Sequence, residues 1–147
     1  MRAGELVEEF PVVTMQSDAL EAARILAEHR LPGIVVTDDC GLPRAVLPAS
    51  QVVRFLVPGY VQDDPSLAGV LSESMADRCA ENLSGKKVHD VVPEHLVYVP
   101  PVDGDDTIIE VATVMAQLRT PLVAVTKGGH LRGVITATRL LAAALPH

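Results

Sequence analysis

Apolar positions along this chain change period in the same order twice. Ala22, Ile25 and Leu26 follow helical spacing, with Asp18 as an N-cap residue type and Glu21 three positions later. Pro32 stops that helix, and the β-branched run Ile34 to Thr37, a turn at Gly41 and the run Arg44 to Leu47 predict a strand, a turn and a strand. A short helix over Ala49 to Leu56 closes the pattern ahead of Pro58. Farther on, Thr107 and Glu110 stand before Val111, Val114 and Met115, and Pro121 stops the helix. The runs Leu122 to Thr126 and Arg132 to Ile135 flank Gly129, and a closing helix covers Ala137 to Leu145 ahead of Pro146. The apolar stretches Phe10 to Met15 and His95 to Pro100 read as lead-in strands.

These two patterns are one repeat. DALEAARILAEHRLPGIVVT, from Asp18, lies over TIIEVATVMAQLRTPLVAVT, from Thr107, at a constant spacing of 89 residues. Glu21 falls on Glu110, Arg30 on Arg119, Pro32 on Pro121, Val36 on Val125 and Thr37 on Thr126. GLPRAVLPASQVV then matches GHLRGVITATRLL at a spacing of 88, the slip falling in a turn that tolerates it. Each copy is β-α-β-β-α. A small sheet with helices on one side leaves a bare face, and two such units stacked together bury it. The expected fold is therefore α+β, two repeats packed as a pseudo-symmetric pair: the first over residues 1–57, a connector over 58–87, the second over 88–147. In the connector Tyr60 to Asp64 reads as a turn, with Asp64 as N-cap and Pro65 at the first helical position. Leu67, Val70, Leu71, Met75, Cys79 and Leu83 then form one stripe opposite Glu73, Asp77 and Glu81, the pattern of an amphipathic helix packed on the module or, alternatively, presented to a partner.

Composition agrees with this picture and excludes several others. The 147 residues are 48% hydrophobic and 21% charged, as in a globular domain that needs no staple. No run approaches the ~20 apolar residues of a membrane span, and the acidic N-terminus lacks the apolar core of a secretory signal. We expect a cytoplasmic protein without membrane insertion. A net charge of −7 and only four aromatic rings (Phe10, Phe55, Tyr60 and Tyr98) argue against a nucleic-acid polymer as partner.

Candidate chemistry is sparse. Cys40 and Cys79 form no CxxC, and the five histidines show no metal-ligand spacing. Asp103, Asp105 and Asp106 resemble a cation loop but lack its alternating ligands, so turn and cap duty is expected of them. GGHLRG lacks the Lys-Ser/Thr step of a phosphate-binding loop, and no Gly-x-Ser-x-Gly elbow occurs. Neither an enzyme nor a metal protein is expected.

The doubled β-α-β-β-α unit, with its capped helix and its Gly-hydrophobic-hydrophobic-Thr step in GHLRGVITATRLL, resembles the CBS domain. The resemblance covers both repeats and implies a regulatory pair that associates as a homodimer. It also implies two inter-repeat clefts that bind adenine nucleotides or S-adenosylmethionine in many members, and a regulated partner such as a transporter or metabolic enzyme. The ligand signature implied by the family is Ser/Thr, two residues, then Asp, with the hydroxyl and helix N-terminus toward phosphate and the Asp toward ribose. Here Thr136 keeps the hydroxyl and Arg139 replaces the Asp, while Pro48 and Gln51 replace both in the first repeat; Val35 and Ala124 stand where the second strand usually has proline. An Arg cannot accept from ribose hydroxyls but can clamp a phosphate or carboxylate. Thr136, Thr138 and Arg139 are thus the candidate ligand set, with an anion, an adenine nucleotide among the choices, as regulatory ligand and no resident cofactor. The equivalent position around Pro48 is expected to be empty. The alternative is a scaffold with vestigial clefts, acting through protein contacts alone.

Overall fold

The computed structural model describes residues 1–70 and 78–146. Its first half runs β1 (Val13–Thr14), α1 (Ala19–His29), β2 (Gly33–Thr37), β3 (Pro43–Pro48) and α2 (Ala49–Leu56). After α3 (Gly59–Asp63) and α4 (Val88–Val91), the second half repeats the order. It comprises β4 (Val102–Asp103), α5 (Ile108–Leu118), β5 (Leu122–Lys127), β6 (His130–Thr136) and α6 (Ala137–Ala144). Each half holds one three-stranded sheet, ordered β1-β2-β3 or β4-β5-β6, with the first pair parallel and the second antiparallel.

The alternation of side chains in β2 and β3 shows how the halves meet. Ile34, Val36, Ala45 and Leu47 pack with α1 and α2 in one core, while Val35 and Val46 point the other way into the core of the second half. Both faces are covered, and all five residues of β2 are buried. This is why the strands read as unbroken apolar runs rather than alternating ones.

Local sequence explains the helix ends. α1 and α5 stop on residues in the left-handed region, Arg30 (φ 54°) and Arg119 (φ 53°), before either proline is reached. At Arg30 the turn is a Schellman motif, with Leu31 N–H donating to Leu26 O and Arg30 N–H to Ala27 O. The prolines two residues on bar continuation, and their carbonyls accept from the next helix, Ala49 N–H on Pro32 and Ala137 N–H on Pro121.

Three expectations need correction. The capping box forms only in the second repeat, where Thr107 Oγ1 accepts from Glu110 N–H at 3.2 Å. Asp18 makes no cap bond, because its carboxylate is taken by Lys87 Nζ at 2.7 Å. The second lead-in strand is Val102–Asp103, not His95 to Pro100. That stretch begins as a 3₁₀ turn (Glu94–Leu96), then runs past the edge of the first sheet, with Val99 N–H donating to Arg44 O at 2.8 Å. Tyr60 to Asp63 is not a turn but part of α3, with Asp64 as its C-cap. Beyond it Asp64 does accept from Ser66, at 3.3 Å from its amide and 2.7 Å from its hydroxyl, but Pro65–Val70 and Cys79–Leu83 are 3₁₀ turns. Leu83 is buried against the first core and Val70 is exposed, while Leu71, Glu73, Met75 and Asp77 of the expected stripe lie outside the described residues.

The cores do not follow the sequence boundaries of the repeats. Ala3 and Leu6 are buried with the second repeat, and Leu83, Val88 and Val91 with the first. Equivalent bonds fix both crossings. Ala3 and Gly4 N–H donate to Asp106 and Gly104 carbonyls, and Val88 and His89 N–H donate to those of Ser17 and Met15. Glu5 turns back to the Arg2 amide as Asp90 does to that of Lys87. Each repeat thus lends its leading segment to the other.

The N-terminal crossing lies so close that Glu8 and Val134 exchange both backbone bonds at 2.9 Å, and a Cβ on Gly133 would sit 2.5 Å from Glu8 O. Gly133→Ala should therefore lower stability by about 1–3 kcal/mol in urea titration, as overpacking does. Thr107→Ala should cost about 1 kcal/mol as a lost cap. Asp18→Ala, which loses only an exposed ion pair, should cost less in the same experiment.

Candidate functional site

Strand β6 delivers Thr136 to the start of α6, and the extended backbone there (φ −85°, ψ 158°) is that of an N-cap. Its buried hydroxyl accepts from Arg139 N–H at 3.2 Å and lies 3.2 Å from the Thr138 hydroxyl. Thr138 and Arg139 are exposed, and the Arg139 guanidinium has no acid partner among the described residues. The three side chains are neighbours, but the Thr136 hydroxyl is already engaged in the cap.

The equivalent step in the first repeat borders a cleft of about 340 Å³. Pro48, Ser50 and Gln51 line it from the β3–α2 step, and Arg119, Thr120 and Pro121 line it from the turn between α5 and β5. Pro32, from the turn between α1 and β2, and Pro93 and His95, from the segment after α4, complete the lining. Gln51 Nε2 donates to Val91 O at 3.0 Å, which leaves its carbonyl oxygen as an acceptor. Thr120 Oγ1 donates to Leu122 O at 2.6 Å and holds the turn that presents Arg119. The cleft lies within the roughly 300–1,000 Å³ of small-molecule sites, and Arg119 and His95 suit it to an anion. The repeat alignment already paired Arg119 with Arg30 and Gln51 with Arg139. What sequence could not supply is that Arg119 faces the first repeat's strand–helix step across the pseudo-symmetric interface.

The comparisons agree with this architecture. The sequence pattern of the CBS domain matches residues 88–146. A CBS domain-containing protein of unknown function from Kribbella flavida has a crystal structure that is 53% identical, with 99% of each chain covered and a TM-score of 0.82. This chain belongs to the CBS domain family. CBSX2 of Arabidopsis thaliana, in complex with AMP, matches at 16% identity over 97% of this chain and 95% of its own, TM-score 0.66. The CBS domain of a membrane protein from Sphaerobacter thermophilus matches at 17% identity over 100% and 90%, TM-score 0.73. Those two share the fold. Among curated proteins nothing matches. CBS domain proteins are generally regulatory, and no catalytic family is indicated.

Among the described residues no helix is long and apolar enough to cross a membrane, and no group of three His, Cys, Asp or Glu side chains could hold a metal ion. The acidic turns are occupied with their own backbone. Asp103 Oδ1 accepts from Asp105 N–H, Asp106 Oδ2 from Asp103 N–H, and Asp38 Oδ1 from Cys40 and Leu42 N–H. Asp105 also pairs with Lys127, whose hydrogen bond and charge hold the Asp105 carboxyl below the usual range while the Lys127 ammonium is raised. The contribution of Asp105 is thus present above the ordinary carboxylate range near pH 4 and is lost as pH falls through its depressed value. The stability gap between wild type and Asp105→Asn should be constant from pH 5 to 8, narrow below about pH 4, and shrink in high salt. Urea titrations across that range check it.

Proposed function

We propose that this CBS pair is a non-catalytic regulatory module that takes an anionic metabolite, an adenine nucleotide foremost, in the cleft between Gln51 and Arg119. The supporting observation is the cleft itself, which joins a fixed positive group of one repeat to an open amide acceptor of the other. The AMP complex of CBSX2, a protein of the same fold, supports the nucleotide. The Thr136, Thr138 and Arg139 set is the second candidate position, where Arg139 would hold an anion from an exposed first turn. Homodimer formation in the cytoplasm and control of a separate transporter or enzyme complete the reading. Exposed Leu141 and Leu145 on or beside α6 and Val53 on α2 favour self-association, whereas Leu140 is packed within its own chain.

A thermal-shift screen of adenine nucleotides and other phosphorylated metabolites tests the ligand. At about 100 times Kd a ligand adds ~2.7 kcal/mol, roughly 5–10 °C in Tm for a chain of this size. Arg119→Gly is the informative variant, because glycine keeps the left-handed turn while the guanidinium is lost. It should abolish the shift without lowering the Tm of the ligand-free protein, whereas Arg139→Ala should leave the shift intact. Loss in Arg139→Ala instead would move the site to the second strand–helix step. No shift with any compound would leave the scaffold reading, acting through protein contacts alone. Light scattering at micromolar concentration should give twice the chain mass, and a monomer there would refute self-association.

A further inference from the structure

A second cleft, of about 410 Å³, lies on the outer edge of the second repeat and shares no lining residue with the inter-repeat cleft. A β-bulge builds it. The register of β5 against β6 skips a residue between Val125 and Thr126, and Arg132 is left without a partner across the ladder. Bulges re-aim the side chains they carry, and Arg132 lines this cleft beside Lys127 and Arg2 of the exchanged N-terminal segment. Gly4 N–H donates to Gly104 O at 2.8 Å, and a Cβ on Gly4 would lie only 3.1 Å from that oxygen, so this wall is backbone.

Three cations meet two carboxylates here, in a chain whose net charge is −7. Both acids are engaged: Asp105 holds Lys127, and Glu5 accepts from the Arg2 amide at 3.4 Å. The Arg2 guanidinium donates to Asp105 O at 3.2 Å. Arg132 has no acid partner among the described residues and lies close enough to Lys127 for the like charges to repel.

The first repeat carries the same cleft with different chemistry. Its bulged residue is Arg44, and its lining includes Met15, Gln16, Asp38 and His89 at the positions equivalent to Gly104, Asp105, Lys127 and Gly4. Where the second repeat has Lys127, the first has Asp38. The bulge arginine is thus common to both, and the positive excess belongs to one.

We propose that the outer cleft between Arg2, Lys127 and Arg132 binds a phosphate group, with Arg132 donating in bidentate fashion and Lys127 shared with Asp105. This site is independent of the inter-repeat reading. ¹⁵N-labelled protein in phosphate-free buffer would be titrated with inorganic phosphate, with glycerol phosphate and with phosphatidylglycerol vesicles. The Gly4, Gly104 and Asp105 amides should shift saturably with at least one probe, and Arg132→Gln should weaken that binding about tenfold or more. Arg119→Gly and Arg44→Gln should leave it unchanged, which separates this site from the inter-repeat cleft and from the first repeat's copy. Saturation by the soluble ions identifies a dissolved phosphate and response to vesicles alone a lipid headgroup; both support the site. Three results would each overturn it: no saturation with any probe, equal shifts at Gln16 and His89, or binding indifferent to Arg132→Gln.

Discussion

Neither three-stranded sheet in this protein can exist with one face bare, and the back-to-back contact that solves this problem governs the rest of the structure. Val35 and Val46 are the local expression of the constraint: they leave their own core and enter that of the other half. A polar residue at either position would have to be buried without a partner or force the halves apart, at a cost of a few kcal/mol. The exchange of leading segments ties the halves further, because Ala3 and Leu6 are buried in the core of the second and Val88 and Val91 in that of the first. Separating the repeats would expose both sheets and strip each of a segment from its neighbour. The pair is therefore one folding unit although its sequence is two.

This constraint also makes the clefts. Stacking the halves brings the β3–α2 step of the first beside the turn between α5 and β5 of the second, so the cleft there contains residues of both. Left-handed Arg30 and Arg119 occupy equivalent turns, yet the strand–helix steps of the two repeats have diverged. Pro48 has no hydroxyl to cap α2, and Gln51 fastens to Val91 instead. Thr136 keeps its cap and holds its hydroxyl against Arg139 N–H. The half whose motif departs farther from the family pattern borders the cleft of about 340 Å³.

Much of the fold was legible in the sequence because its signals are local. The repeat spacing, the apolar runs of β2, β3, β5 and β6, and the boundaries of α2 depend on residues near one another in the chain. The features that differ from the local pattern depend on distant partners. Asp18 and Thr107 are equally good cap types, and only Lys87, 69 residues away, decides that the first is diverted. His95 to Pro100 is apolar enough for a strand, but Leu96 and Val99 are buried singly as the chain crosses, and Pro100 and Pro101 offer no N–H to a ladder. The same spacing of 89 carries Val13 and Thr14 onto Val102 and Asp103, so the alignment held the right strand while composition pointed to the wrong one. The exchanged segments match at a different spacing, with Arg2 on Lys87 and Glu5 on Asp90, too short and too diverged to stand out in the sequence alone.

The site was less legible than the fold for a related reason. A strand–helix motif names half of a cleft, and the other half comes from a turn nearly one repeat away. Thr136 and Arg139 carry more polar chemistry than Pro48 and Gln51, but the chemistry of one half does not name the residues that face it. The cleft beside Gln51 gains its positive group from Arg119 and its imidazole from His95, neither of which belongs to the motif. Charge diverges in the outer clefts too, where Lys127 and Arg2 line one and Asp38 and Asp39 line the other beside an equivalent bulge arginine. Duplication fixes where clefts fall, because that follows from packing. Their contents can drift independently, because the lining side chains carry little of the core. A pseudo-symmetric pair of this kind can therefore hold unlike chemistry at equivalent positions without disturbing the contact that keeps it folded.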